Sequence, residues 1–481
     1  MGHIWERRAN RRTSSNDVPF RIQQYYRTVF TKLVNSIVGQ EGVLLRMASF
    51  TYEQKTKISV SRFMDFLINL FFFLVLFPYV TFGLPSISDS QPWAALAGAF
   101  IVLLFMLVPR KQGVSKSIFA IWIISLCCIA NLTAFYLFDG GELVMYLRSA
   151  YKYVAWAFII PPVVLYLDNF RIGVFKTSVF LWFIISTLQL ILKRPIVGFI
   201  LPRASYSLSR HWVLGFAPEP AYMAKVAVFF LILIDYFILS GKIESKSAML
   251  MRYMCYWMIF ISFSLTGLFL LIAYLFCRVI IVLSEKPIFS IRNLILLLLL
   301  VTTLLVVGPV VYEVIFDYVS NLGRLGHFLV SLTNKGVIDS LMIDASFVAR
   351  FSQIFLSIQN ITSGEIFGSG VPNNPIGSIF SPVYDSGIYG VALIVFLLFV
   401  FLRGIFYAKS KNYRVYSFEL FLIFVLLTFS ESLASAYIPF IVGIVLHLHS
   451  GKRVIEYREE ATFRRAITHS PYEVFGEKLV K

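Results

Sequence analysis

Four arginines (Arg194, Arg203, Arg210 and Arg350), with His211 and Glu219, are the residues here whose types and spacing point most directly to chemistry. A guanidinium is a planar fork of donors that stays charged at any working pH and matches the oxygens of a phosphate or diphosphate. Lys193, Arg194, Arg203 and Arg210 crowd into one polar stretch between two apolar runs, and Arg350 heads an amphipathic segment within a second. One reading of that crowding is an anion site; the other is attraction to the phosphates of surrounding lipid or glycan. The first stretch ends Arg210-His211-Trp212-Val213-Leu214-Gly215-Phe216-Ala217-Pro218-Glu219-Pro220-Ala221-Tyr222. Pro218 and Pro220 restrict the backbone around Glu219, and Pro220 suits the first turn of a helix. Glu219 then either complements the positive helix terminus or, set among apolar neighbours, acts as a general base, with His211 in reserve. Gly368 and Gly370 interrupt the segment begun by Arg350 and allow a tight turn or a close backbone approach.

The elements that must position these groups are membrane-crossing helices. The 481 residues are 58% hydrophobic and 14% charged, whereas soluble domains are roughly 45–50% apolar and about 25% charged. That surplus of apolar surface excludes a soluble enzyme, a disordered chain and a nucleic-acid binder. At about 20 apolar residues per crossing, spans are expected near 63–84, 92–108, 117–138, 150–167, 174–192, 221–239, 248–263, 266–283, 294–311, 387–403, 418–429 and 436–448. Basic residues gather in alternate connections, among them Arg110, Lys111, Arg171, Lys176, Lys242, Lys246, Lys286, Arg292, Arg403 and Lys409. By the positive-inside rule those connections are cytoplasmic, and twelve crossings put both termini there. The other face then carries Arg148, Lys152, Lys193, Arg194, Arg203, Arg210, Arg324, Lys335 and Arg350, chiefly on two long loops, 193–220 and 312–385.

The chain therefore divides into a basic tail (1–62), a transmembrane body (63–449) and a C-terminal tail (450–481), with a formal net charge of +17. The first tail, with 11 basic and 4 acidic residues, suits an anionic inner leaflet. Within it residues 18–47 read either as an interfacial helix or as a solvated segment. Cys127, Cys128, Cys255 and Cys277 lie in apolar runs, as packing residues do. Asp235 and Arg278 are expected to snorkel at inner helix ends, and His447 and His449 to sit at the interface. Glu431, flanked by Ser430 and Ser432, is expected to face the same cavity as Glu219. No phosphate-binding glycine loop is present and no metal-spaced His pair lies in an outer loop, so no metal or other cofactor is expected.

Phe216-Ala217-Pro218-Glu219-Pro220-Ala221-Tyr222 resembles the F-x-E-P-S-Y signature of Wzy-type O-antigen and exopolysaccharide polymerases. Ser262-Phe263-Ser264-Leu265-Thr266-Gly267 resembles their S-x-S-x-T-G, and Arg350, Gly368-Ser369-Gly370 and Asp385-Ser386-Gly387-Ile388-Tyr389-Gly390 resemble their long outer loop. The chain departs from the pattern at Ala221 and Leu265, and Asn373-Asn374 stands where O-antigen ligases are rich in His. The resemblance implies an all-α, C-type glycosyltransferase-like membrane fold in the bacterial inner membrane, with its site facing the periplasm. It also implies metal-independent joining of undecaprenyl-diphosphate-linked oligosaccharides, donor and acceptor alike, with a chain-length regulator and a flippase as partners besides membrane lipids. Arg210 and Arg350, aided by Arg194 and Arg203, would hold the diphosphate. Glu219 or His211 would take the acceptor proton, Trp212 and Tyr222 would stack on sugars, and Gly368 and Gly370 would shape the loop. A ligase-type transferase is the nearest alternative, and a lipid-linked glycan transporter the next.

Overall fold

The computed structural model describes residues 62–81, 90–107, 115–140, 142–194, 213–285, 365–370, 379–408 and 411–450, with isolated positions between 196 and 201 and between 331 and 363. Two units are distinguished: Met1–Phe66, described only over 62–66, which is helical, and Leu67–Lys481. In the second unit the first helices are α1 (67–76), α2 (Trp93–Leu107), α3 (Lys116–Asp139), α4 (Leu143–Tyr166) and α5 (Ile172–Leu192). They are followed by α6 (Pro220–Leu239), α7 (Ser245–Ile261) and α8 (Leu265–Glu285). The last are α9 (Ser381–Ser386), α10 (Ile388–Tyr407), α11 (Lys411–Ser430) and α12 (Tyr437–Ser450). One 3-10 turn, Leu167–Asn169, follows α4.

Among the described residues six segments are long and apolar enough to cross a bilayer: Lys116–Asp139, Leu143–Asn169, Ile172–Leu192, Pro220–Leu239, Ile388–Tyr407 and Asn412–Phe429. Trp93–Leu107, Leu265–Val279 and Tyr437–His449 are shorter apolar helices. Their outward faces are greasy, with Leu96, Phe100, Leu103, Met106, Phe119, Leu126, Phe399 and Phe406 exposed. Water does not tolerate apolar surface on that scale, whereas lipid does. The protein is an all-helical polytopic membrane protein. The span expected at 294–311, the tail segment 18–47 and the C-terminal tail beyond Ser450 lie outside the described residues.

The helices expected to begin at 150 and 418 begin earlier, at Leu143 and Lys411. The early start of α4 shrinks its connection from α3 to residues 140–142. Its extra turns are held against α3 by the Thr133–Tyr146 hydroxyl pair, 2.9 Å apart, and by the stacked rings of Tyr136 and Tyr146. The stretch 248–283 resolves into α7 and α8, joined at Ser262–Ser264 with Phe263 in the left-handed region (φ 47°). There the Ser262 hydroxyl accepts from the Ser264 amide, and the Ser264 hydroxyl from the Gly267 amide. These side chains satisfy the amides that a new helix leaves orphaned.

The centre of the bundle is α6, buried from Met223 to Phe237 on every face. A helix apolar all round belongs in an interior. Phe229 of α6 packs on Tyr437 and Phe440 of α12, and α12 in turn packs on α4. α7 and α8 flank α6, α11 reaches α8, and α9 packs on α10 and α3.

Pro161 and Pro162 sit inside α4 and cannot donate to the carbonyls four residues earlier, those of Ala157 and Phe158. The structure fills the first vacancy with a side-chain donor and packs backbone against the second. The Trp122 indole of α3 donates to the Ala157 carbonyl at 2.8 Å. Gly98 of α2 lies against the Phe158 carbonyl so closely that a Cβ would stand 2.1 Å from its oxygen. Only glycine fits there.

Candidate functional site

One end of the bundle gathers the N-terminus of α6, the C-terminus of α11 with the 431–436 connection, the first half of α4, and α9 with the 365–370 segment. In the expected orientation this end faces outward. Glu219 is half-buried and is the N-cap of α6 in extended conformation (φ −144°, ψ 152°); its carbonyl accepts from the Tyr222 and Met223 amides. Pro220 occupies the first helical turn, as expected. The approach to Glu219 is fixed from α5. The Gln189 side chain accepts from the Leu214 and Gly215 amides at 2.8 and 2.6 Å and donates to the Gly215 carbonyl at 3.2 Å. Phe216 packs edge-on against Trp182, whose indole donates to the Leu76 carbonyl.

Beneath Glu219 lies a buried polar cluster. The Lys225 ammonium donates to Glu431 at 2.8 Å, with side chains 1% and 2% exposed. The other Glu431 oxygen accepts from the Ser435 hydroxyl at 2.6 Å, and Ser435 pairs with Ser90 at 3.0 Å. The Tyr79 and Tyr437 hydroxyls are 3.1 Å apart. The Tyr222 ring stands 5.1 Å from that of Tyr79 and 4.4 Å from the Lys225 ammonium, a cation–π distance. Tyr222 is half-buried, and a sugar could stack only on the part of its ring these neighbours leave uncovered. Glu431 does not face the Glu219 side as a free carboxylate; its charge is taken up by Lys225.

A second buried pair, Lys152–Asp385, joins α4 to α9, with Ser381 also accepting from the ammonium at 3.3 Å. Lys152 was expected among the cations of the outward face, near the start of the 150–167 span. Because α4 starts early, it stands well inside the helix instead, 9% exposed. Asp385 is fully buried, and its second oxygen has no donor among the described residues. Burial pushes this carboxyl up, opposed by the Lys152 ammonium. Between the two pairs, Trp156 of α4 donates to the Leu433 carbonyl at 2.9 Å and so ties α4 to the connection that carries Glu431.

Gly368 and Gly370 are buried, and both adopt positive φ (84° and 70°). The segment around them is stitched to α9 and α10. The Ser369 amide donates to the Tyr384 carbonyl at 2.8 Å, the Ile388 amide to the Ile366 carbonyl at 2.8 Å, and the Asn131 side chain to the Phe367 carbonyl at 2.9 Å. Gly387 closes α9 at φ 52°, and a Cβ there would lie 2.0 Å from the Ile366 carbonyl. The glycines therefore serve a close backbone crossing, as their spacing implies.

Arg194 is exposed and follows Lys193, which ends α5 in the left-handed region. Arg203, Arg210, His211, Trp212 and Arg350 lie outside the described residues. Of the expected site, the structure thus brings together Glu219 and Tyr222, and places Gly368 and Gly370 at the same end of the bundle.

At the opposite end Asp235, expected to snorkel, is 1% exposed and accepts from Arg252, from Arg278 at 3.2 Å and from the Tyr274 hydroxyl at 2.9 Å. It is a buried junction of α6, α7 and α8. His447, expected at the interface, is buried, with its ring nitrogens 2.9 Å from the Val164 carbonyl and 3.3 Å from Asp168. The four cysteines are free, and three of them are buried, as packing residues are. Among the described residues no group of His, Cys, Asp and Glu is arranged to hold a metal ion.

Sequence reasoning missed Lys225 and both buried pairings, Lys225 with Glu431 and Lys152 with Asp385. The available signal was a lone charge inside an apolar run, as in Ala224-Lys225-Val226, since such a charge needs a buried partner. Comparison with protein-family models, with characterised proteins and with solved structures finds no match for this chain.

Proposed function

We propose that the protein is a membrane-embedded polysaccharide polymerase that joins lipid-diphosphate-linked oligosaccharide repeats at the Glu219 end of its bundle. The observation that carries this reading is the anchored Phe216–Tyr222 segment: Gln189 and Trp182 hold it so that Glu219 caps α6 above a dry, charge-balanced interior. In the reaction an acceptor hydroxyl oxygen bonds to the donor's anomeric carbon while the bond from that carbon to the diphosphate oxygen breaks. The lipid diphosphate leaves with the electron pair, and the hydroxyl proton passes to Glu219, with His211 as the alternative acceptor. Arg210 and Arg350, with Arg194 and Arg203, stabilise the charge that develops on the leaving diphosphate, so the step needs no metal. The carrier lipid is undecaprenyl diphosphate and the setting is the periplasmic face of a bacterial inner membrane, in line with the resemblance and with the loop charges.

The test supplies purified protein in liposomes with a single lipid-linked oligosaccharide. A ladder of products is expected. One transfer to an unrelated lipid acceptor with no ladder would instead mark a ligase. A transporter is the second reading, because ionisable residues of α4 and α6 form buried pairs within the bundle. Movement of the intact lipid-linked oligosaccharide across the liposome membrane without elongation would establish that second reading.

A further inference from the structure

Arg252 of α7 and Arg278 of α8 converge on a single oxygen of Asp235, whose other oxygen is taken by Tyr274. Two positive charges thus share one negative charge. The fully buried carboxyl of Glu419 hydrogen-bonds to Asp235, so the two carboxyls share a proton and carry one negative charge between them. Unlike Asp235, the two arginines reach the surface, with side chains 22% and 30% exposed. The surface they reach is apolar: Met249, Leu250 and Tyr253 on α7, and Leu275, Phe276 and Val279 on α8, are all exposed. Lys246, two turns nearer the start of α7, is exposed too.

We infer that the seam between α7 and α8 binds an anionic phospholipid, its phosphate held by Arg252 and Arg278 and its acyl chains laid along the exposed apolar faces of the two helices. A phosphate meets the requirement left open here, the positive charge in excess of the buried negative charge, and the exposed parts of the two planar guanidinium forks suit its oxygens. The tethered acyl chains explain why such polar groups open onto an apolar face rather than into a water-filled cleft. The basic residues at this end of the bundle place the lipid in the inner leaflet, where anionic headgroups are enriched. This site is independent of the sugar-joining reaction proposed above, and it would stand if that reaction were disproved.

The experiment measures lipid retention by the purified full chain in native mass spectrometry, with phosphatidylglycerol and phosphatidylcholine of matched acyl chains. Phosphatidylglycerol is expected to stay bound preferentially. In D235N/R252Q/R278Q, which removes the two cations and their carboxylate together, retention is expected to fall about thirtyfold, roughly tenfold or less for each guanidinium. Arg278→Gln alone leaves Asp235 paired with Arg252 and Tyr274, so it keeps the test open should the triple variant fail to fold; it is expected to lose several-fold. Equal retention by wild type and Arg278→Gln, or no preference between the two lipids, would overturn the proposal. Displacement of the lipid by inorganic phosphate would overturn its lipid character and leave a free-anion site.

Discussion

Lys225→Met is expected to destabilise the protein by about 3–5 kcal/mol, because Glu431 would keep its charge in the interior after losing the Lys225 ammonium. The pair is almost wholly buried and lies where α6 meets the 431–436 connection. The Ser435 and Tyr437 hydroxyls would then have to solvate the carboxylate, and Ser435 already shares its hydroxyl with Ser90. Adding Glu431→Gln removes the stranded charge, so the double variant is expected to recover most of the loss. Reversible unfolding in mixed micelles reads both variants. A single variant as stable as wild type would show that the pair contributes nothing, and a double variant less stable than Lys225→Met would show that Glu431 has some other partner.

Glu219→Gln separates the two roles open to this residue. Glutamine keeps the extended N-cap backbone and the carbonyl that accepts from Tyr222 and Met223, so α6 should start where it does now. Removing the carboxylate removes the proton acceptor, and elongation of lipid-linked oligosaccharide is expected to slow by about 10²–10⁴-fold, the usual contribution of a general base. An unchanged rate would reduce Glu219 to a helix cap. Because the anchoring bonds come from Gln189 to the backbone of Leu214 and Gly215, the substitution leaves the path of the segment intact. A loss of rate can therefore be read as chemistry rather than as unfolding.

Much of the helical layout was legible because apolar runs of bilayer length leave few alternatives, and the helix starts at Pro220 and after Gly387 are written in local backbone chemistry. The early start of α4 was not legible. Glu142 to Leu147 is mixed in polarity, and it is the pairing of Tyr146 with Thr133 and Tyr136 that makes it helical. The same error put Lys152 at the outer end of its span, although its position in α4 hides it against Asp385. Asp235 misled for a related reason: a carboxylate near a helix end reads as solvated unless the arginines on two other helices are known to reach it. Sequence spacing shows where a charge sits along its own helix but not which neighbour neutralises it. The candidate segment was the easier part, since Pro218, Glu219 and Pro220 fix their own geometry and Gly368, Gly370 and Gly387 mark a backbone crossing that no other residue permits.

Affinity of purified protein for undecaprenyl diphosphate, compared among wild type, Arg210→Ala, Arg350→Ala and the double variant, bears most directly on the proposal that one diphosphate is held by both loops. Each single substitution is expected to weaken binding about tenfold or more, the worth of a charge-assisted contact to phosphate. The double variant should lose less than the two single losses combined, because both guanidiniums act on one group. Wild-type affinity in both single variants would contradict it.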